Sequence, residues 1–72
     1  MQSYLLINTE TPWKKDIKKE LSQFEFTVDK VEDIKRSADL LAKVIVDNPT
    51  ALDNFILQQL EKISGIKRVI VI

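Results

Sequence analysis

Asp39 follows the turn Lys35-Arg36-Ser37 and opens a long apolar segment, which sets a carboxylate beside two cations and a stretch of turn amides. Such a carboxylate could hold the ammonium of a small ligand, while the amides meet the ligand's own carboxylate. The competing reading is a turn aspartate bonding its own backbone, and on spacing alone that is the commoner use. Lys14, Lys15, Lys18 and Lys19 form a second candidate, an anion patch. Asp16 and Glu20 are interleaved with them, and Asp16 lies three residues before Lys19, within pairing reach on a helix. A solvated helix face is the better description. Asp29, Glu32, Asp33, Asp47 and Asp53 are scattered and make no acid–base pair. The chain has no histidine and no cysteine, which removes the imidazole base, the thiolate, the disulfide and the usual metal ligands. P-loop, dinucleotide and metal motifs are missing. The expectation is a protein that is no enzyme and holds neither cofactor nor metal.

The 72 residues suffice for one domain, residues 1–72, with 11 basic and 11 acidic side chains. Nucleic-acid binders that grip phosphates carry a basic excess, and this chain has none, so no direct contact with nucleic acid is expected. The longest apolar runs, Tyr4 to Ile7 and Val69 to Ile72, fall far short of a membrane span, and no secretory signal is visible. The cytoplasm is the expected compartment. With one glycine and two prolines, nearly every residue should belong to an element or a short turn.

The elements follow from periodicity. Gln2 to Asn8 reads as a strand, and Thr11-Pro12 as a helix start in which Thr11 caps the free amides. Trp13, Ile17, Leu21 and Phe24 form the apolar stripe of a first helix, with Trp13 as a packing residue. Phe26, Val28, Val31 and Ile34 mark a second strand whose period slips between Val28 and Val31, as at a bulge. Ala38 to Val46 is the third strand, with Leu40, Ala42, Val44 and Val46 on one face. Asn48-Pro49 opens a second helix carrying Leu52, Phe55, Ile56, Leu60 and Ile63, and Ser64-Gly65 closes it. Ile66 to Ile72 is the last strand. The order βαββαβ predicts an α+β ferredoxin-like sandwich, a four-stranded antiparallel sheet with both helices on one face.

The sheet face away from the helices should then be polar, and it is not. Tyr4 and Leu6 oppose Leu5 and Ile7; Leu41, Lys43 and Ile45 oppose Leu40, Ala42 and Val44; Val69 and Val71 oppose Ile70 and Ile72. So large an apolar face predicts a homodimer through Tyr4, Leu6, Leu41, Lys43 and Ile45, with room for higher assembly. The last strand, Val-Ile-Val-Ile, is also an unprotected edge. RNA-recognition domains share this element order but stack bases on aromatics of the central strands, where this chain offers only Tyr4.

Three segments in this order and spacing, Tyr4-Leu5-Leu6-Ile7-Asn8-Thr9-Glu10, Ala38-Asp39-Leu40-Leu41-Ala42-Lys43-Val44 and Leu60-Glu61-Lys62-Ile63-Ser64-Gly65-Ile66-Lys67, resemble the effector-binding domain of Lrp/AsnC transcriptional regulators, the RAM domain. The resemblance covers nearly the whole chain. Full-length regulators of that family place a helix-turn-helix first, so a chain starting at the first strand resembles the stand-alone forms of archaea and some bacteria. The resemblance implies dimers through the sheets, further assembly, and an amino-acid-like effector bound near the turn between the second and third strands. That turn usually reads glycine, any residue, an aromatic, aspartate; here it reads Arg36, Ser37, Ala38, Asp39. Asp39 matches, while arginine replaces glycine and alanine the aromatic. Arg36 could block close approach of a ligand or supply a new carboxylate anchor. The family's hydroxyl-bearing positions on the last strand are filled by apolar residues such as Val69 and Val71.

The expected function is a non-enzymatic effector-binding module, with effector-binding residues Arg36, Ser37, Ala38 and Asp39, that modulates transcription through a full-length Lrp/AsnC regulator. The alternatives are an ACT-like regulatory subunit of an amino-acid biosynthetic enzyme and a purely structural self-assembling domain. A small barrel-forming monooxygenase is disfavoured by the missing histidines and the short chain.

Overall fold

The computed structural model describes residues 1–34 and 38–72. β1, Gln2–Thr9, alternates buried and outward positions from its first residue, as a strand between two layers must. It leads through a short 3-10 turn, Thr11–Trp13, into α1, Lys14–Ser22. β2, Val28–Asp33, and β3, Leu40–Ile45, follow, then α2, Pro49–Phe55, which continues as a wider π turn, Ile56–Leu60, before β4, Ile66–Val71. The strands form one antiparallel sheet in the order β2-β3-β1-β4. This is the ferredoxin-like α+β sandwich expected from the element order, with β2 and β4 at the edges.

The core lies between the sheet and the two helices. Leu5, Ile7, Leu40, Ala42 and Val44 from the central strands meet Ile17 and Leu21 of α1, Leu52 of α2 and Leu60 of the π turn, all buried. Burying each large aliphatic side chain contributes about 1.5–3 kcal/mol, so this cluster outweighs any surface term in the molecule. Phe24 and Phe55 close its end edge-to-face, with ring centroids 5.3 Å apart.

The two helices start differently. The Asn48 side chain accepts the Ala51 amide at 2.8 Å, with Pro49 behind it, as Asn-Pro predicts. Thr11 does not cap α1: it lies inside the 3-10 turn, whose cap position is Glu10, and the cap position of α1 is Trp13, neither with a side-chain bond. The Glu10 amide instead donates to the Gly65 carbonyl at 2.8 Å, tying the first helix start to the turn before β4. Gly65 has φ +94°, and a Cβ there would lie 2.6 Å from the Trp13 Cβ. Only glycine fits both the backbone and the contact. Trp13 thus packs as expected, although it stays 46% exposed.

Other boundaries shift. The slip in the second strand is real, a register irregularity between Val28 and Lys30 against β3. Phe26 is not in that strand but in the preceding turn, where the Val28 amide reaches back to the Phe24 carbonyl. Ile34, Ala38, Asp39 and Val46 lie just outside their strands, and Lys35, Arg36 and Ser37 lie outside the described residues. Lys18 pairs with Asp33 of β2 at 3.4 Å, so this lysine of the α1 face bonds across to the sheet.

Candidate functional site

Of the four residues expected to hold an effector, Arg36 and Ser37 lie outside the described residues. Ala38 is buried. Asp39 is held at three points. Its amide donates to the Ile7 carbonyl and its carbonyl accepts from the Ile34 amide, both at 3.0 Å. Its carboxylate Oδ2 accepts the Thr9 amide at 2.7 Å. The cause lies in the sheet. The last β1–β3 pair is Ile7↔Leu40, and β1 slips register against β4 between Asn8 and Thr9. The side chain of Asp39 supplies the acceptor that the strand ladder no longer offers the Thr9 amide. This aspartate does bond backbone, but that of a neighbouring strand 30 positions away.

Thr9 was not among the sequence-derived candidates. It is 5% exposed, and its hydroxyl is a buried polar atom without a hydrogen-bond partner among the described residues. A strand-ending threonine gives no sequence signal for this, because the orphaning depends on the register slip beside it.

The five residues expected at a dimer face share one side of the sheet. Directly opposed residues of antiparallel strands point the same way. The pairs Tyr4↔Lys43, Leu6↔Leu41 and Gln2↔Ile45 therefore place Tyr4, Leu6, Leu41, Lys43 and Ile45 together, opposite the helices. Leu6↔Ile70 adds Ile70 from β4, and Lys30↔Lys43 and Glu32↔Leu41 add the charged margin of β2. Tyr4 is 42% and Ile45 43% exposed, with no helix above them. On β1 and β4 the same face carries Tyr4, Leu6 and Ile70 between Gln2 at one end and Asn8 with Arg68 at the other, so its apolar part is a band bounded by polar residues.

The charged margin is internally paired. Lys30 meets Glu32 at 2.6 Å and Lys43 meets Asp29 at 3.7 Å, around a concavity of about 420 Å³ that Tyr4 and Leu41 also line. The hydrogen bond and charge of Glu32 hold the Lys30 ammonium above the usual lysine range. These pairs were missed in the sequence, since they need the β2–β3 register. On the other side of the molecule, a groove of about 600 Å³ separates α1 from the π turn, between Trp13, Glu20, Gln58 and Lys62. Among the described residues no three acidic groups cluster as metal ligands would, and no helix is long and apolar enough to cross a membrane.

No family model matches the chain, and neither does any curated protein. Solved structures do resemble it. FFRP-DM1 superposes with a TM-score of 0.90 at 21% identity, over 99% of this chain and 93% of its own. TTHA0845 from Thermus thermophilus gives 0.91 at 18% identity, over 99% and 88%. The transcriptional regulator NMB0573 from Neisseria meningitidis, solved as its L-Met complex, gives 0.89 at 14% identity; 99% of this chain matches 47% of that one. At these identities the likeness establishes the fold. This chain corresponds to about half of the Neisseria regulator.

Proposed function

We propose that this chain is a RAM-type effector-sensing domain that pairs with a second copy through its uncovered sheet face. It binds an amino-acid-like ligand beside Asp39 and acts on transcription through a full-length Lrp/AsnC regulator. The observation that carries this reading is the uncovered face itself: Tyr4, Leu6, Leu41, Ile45 and Ile70 stand together where a self-sufficient sandwich would carry polar residues. The sequence resemblance supports the family. The fold shared with a regulator solved with L-Met supports a small-molecule effector. Absence of histidine and cysteine supports a non-enzymatic role.

One observation favours a second reading, a self-assembling domain with a closed site: one carboxylate oxygen of Asp39 is already engaged by the Thr9 amide. The experiment that separates the two is a thermal-shift screen against the twenty amino acids at millimolar concentration. A ligand at a hundred times its Kd stabilises the fold by about 2.7 kcal/mol. In a domain of this size that raises Tm by more than about 10 °C. The informative variant is Asp39→Asn, which keeps an oxygen for the Thr9 amide while removing the charge and turning the second oxygen into an NH2 donor. Selective hits that Asp39→Asn abolishes, without lowering the unliganded Tm, support the effector site at Asp39. A flat response across the panel leaves assembly as the function.

A further inference from the structure

β4 is an outer strand of the sheet, and the run Val69-Ile70-Val71-Ile72 carries no charge, proline or glycine. Such an edge offers free amides and carbonyls to a further strand. Which groups are free follows from the ladder to β1. The Ile72 amide donates to the Tyr4 carbonyl at 2.9 Å, so Tyr4 and Ile72 are a hydrogen-bonded pair. Bonded and non-bonded pairs alternate between antiparallel strands, which makes Leu6↔Ile70 bonded and Leu5↔Val71 and Ile7↔Val69 non-bonded. The Ile7 carbonyl agrees with this parity, because it turns the other way and accepts the Asp39 amide. The amides and carbonyls of Val69 and Val71 therefore point away from β1. Among the described residues nothing bonds them, since β4 pairs with β1 alone.

The other edge of the sheet is protected. β2 carries Asp29, Lys30, Glu32 and Asp33 and slips register between Val28 and Lys30, and both features discourage a further strand. β4 has its own slip at Asn8/Thr9 and its cations at Lys67 and Arg68, so only the run from Val69 onward is open. A strand that pairs there must itself be apolar, because Val69 packs on the core and a polar neighbour would lie against it. A second copy of β4 meets that need. A two-fold axis at Ile70 sets the two strands antiparallel and bonds Val69 to the second copy's Val71, and Val71 to its Val69, using the free groups alone. Ile70 then faces its own copy, so every central pair is aliphatic and β-branched, as suits a pleated surface. Moving the axis to Arg68 opposes two like charges, which is destabilising. Moving it to Val69 recruits Lys67, next to the slip.

We infer that two copies of this chain join edge to edge through β4, antiparallel about Ile70, into one continuous sheet. This contact is separate from the face-to-face pairing proposed above and does not depend on it. Amide hydrogen exchange, read by NMR on the full chain at millimolar concentration, tests it, because face-to-face packing gives the Val69 and Val71 amides no acceptor. The expected result is slow exchange at Val69 and Val71, matching Ile70, and loss of the Val69 protection in Val71→Pro. Proline at position 71 removes an outward amide only, so circular dichroism should show that variant folded. Exchange at Val69 and Val71 as fast as at unpaired amides, with Ile70 protected, overturns the edge contact. So does Val69 protection that survives Val71→Pro. The register has its own test, since the chain has no cysteine. Ile70→Cys places two thiols on Cα atoms about 4.5 Å apart, within the disulfide range of about 4.4–6.8 Å. Mild oxidation should convert Ile70→Cys, and not Lys67→Cys, into a covalent dimer. Slow exchange at both amides without that cross-link overturns the register about Ile70.

Discussion

Leu40 and Leu41 are neighbours in one strand and live in different environments. Leu40 lies under the helices, fully buried, and Leu41 stands half-buried on the opposite face beside Leu6 and Glu32. The same contrast holds along β1, where Leu5 and Ile7 are buried and Tyr4 is exposed. Strand alternation sends successive side chains to opposite faces, but it does not dictate that one face be polar. Here the open face carries an apolar band at Tyr4, Leu6, Leu41 and Ile70 among polar and charged residues, and only the other face has a covering layer within the chain. Burial within the chain explains the first face; for the second, the dimer proposed above supplies the cover.

The contrast can be broken most directly at that pair. Leu40→Ala should cost about 3 kcal/mol in urea denaturation, as for a buried leucine that leaves a cavity. Leu41→Ala, measured at concentrations where the protein is dissociated, should cost less than about 1 kcal/mol. Equal losses would mean that the faces do not differ in the way described. Thr9→Val sharpens the covered side: it removes the orphaned hydroxyl and should raise stability by about 1–2 kcal/mol, read as a higher urea midpoint. If Thr9→Val destabilises instead, the hydroxyl has a partner in solution. The covering layer has unequal halves of its own. Asn48→Ala should cost about 1 kcal/mol for the lost cap. Thr11→Ala should leave the unfolding midpoint unchanged, since Thr11 caps nothing.

A small effect confined to high pH lies on the charged margin of the open face. Lys30 is held above its ordinary range by Glu32, so its folded form binds the proton more tightly than the unfolded chain does. That contribution is complete below the unfolded lysine value, about 10.4, and disappears as pH rises through the raised folded value. The urea midpoints of wild type and Lys30→Gln should keep a constant separation between pH 7 and about 9, and converge only above about pH 10.4. A separation that changes near neutral pH would assign the titration to another group.

The fold was legible because its signals are local. The stripe at Ile17 and Leu21, the alternation from Leu40 to Val44 and Asn48-Pro49 each state their structure within a few residues; Ser64-Gly65 does not close the second helix, which ends at Leu60, but forms the left-handed turn before β4. The bulge after Val28 was legible too, as a slipped period. Thr11 misled because a residue before proline resembles a cap, while the competing bond from Glu10 to Gly65 spans 55 positions and leaves no trace nearby. The site was harder for the same reason. Asp39 could be singled out by its type and place, but its bond to Thr9 depends on where the β1–β3 ladder ends. The open sheet face was legible from parity alone, whereas Ile70, Lys30 and Glu32 join it only through the register of two further strand pairs.

The π turn at Ile56–Leu60 marks where this chain can change its length. The Glu61 amide reaches back five residues to the Ile56 carbonyl, so the turn holds one residue more than an α-turn does. Such a turn amounts to a single-residue insertion absorbed inside a helix. Gln58 and Gln59 are exposed there, while Ile56 before them and Leu60 after them pack on the core. A natural variant or a design one residue shorter at Gln58 or Gln59 would close the turn to ordinary helix, keeping the Asn48 start upstream and the Leu60 core contact downstream. Among homologous chains of this fold, alignment gaps at this position should therefore occur within a helix, where insertions are normally excluded.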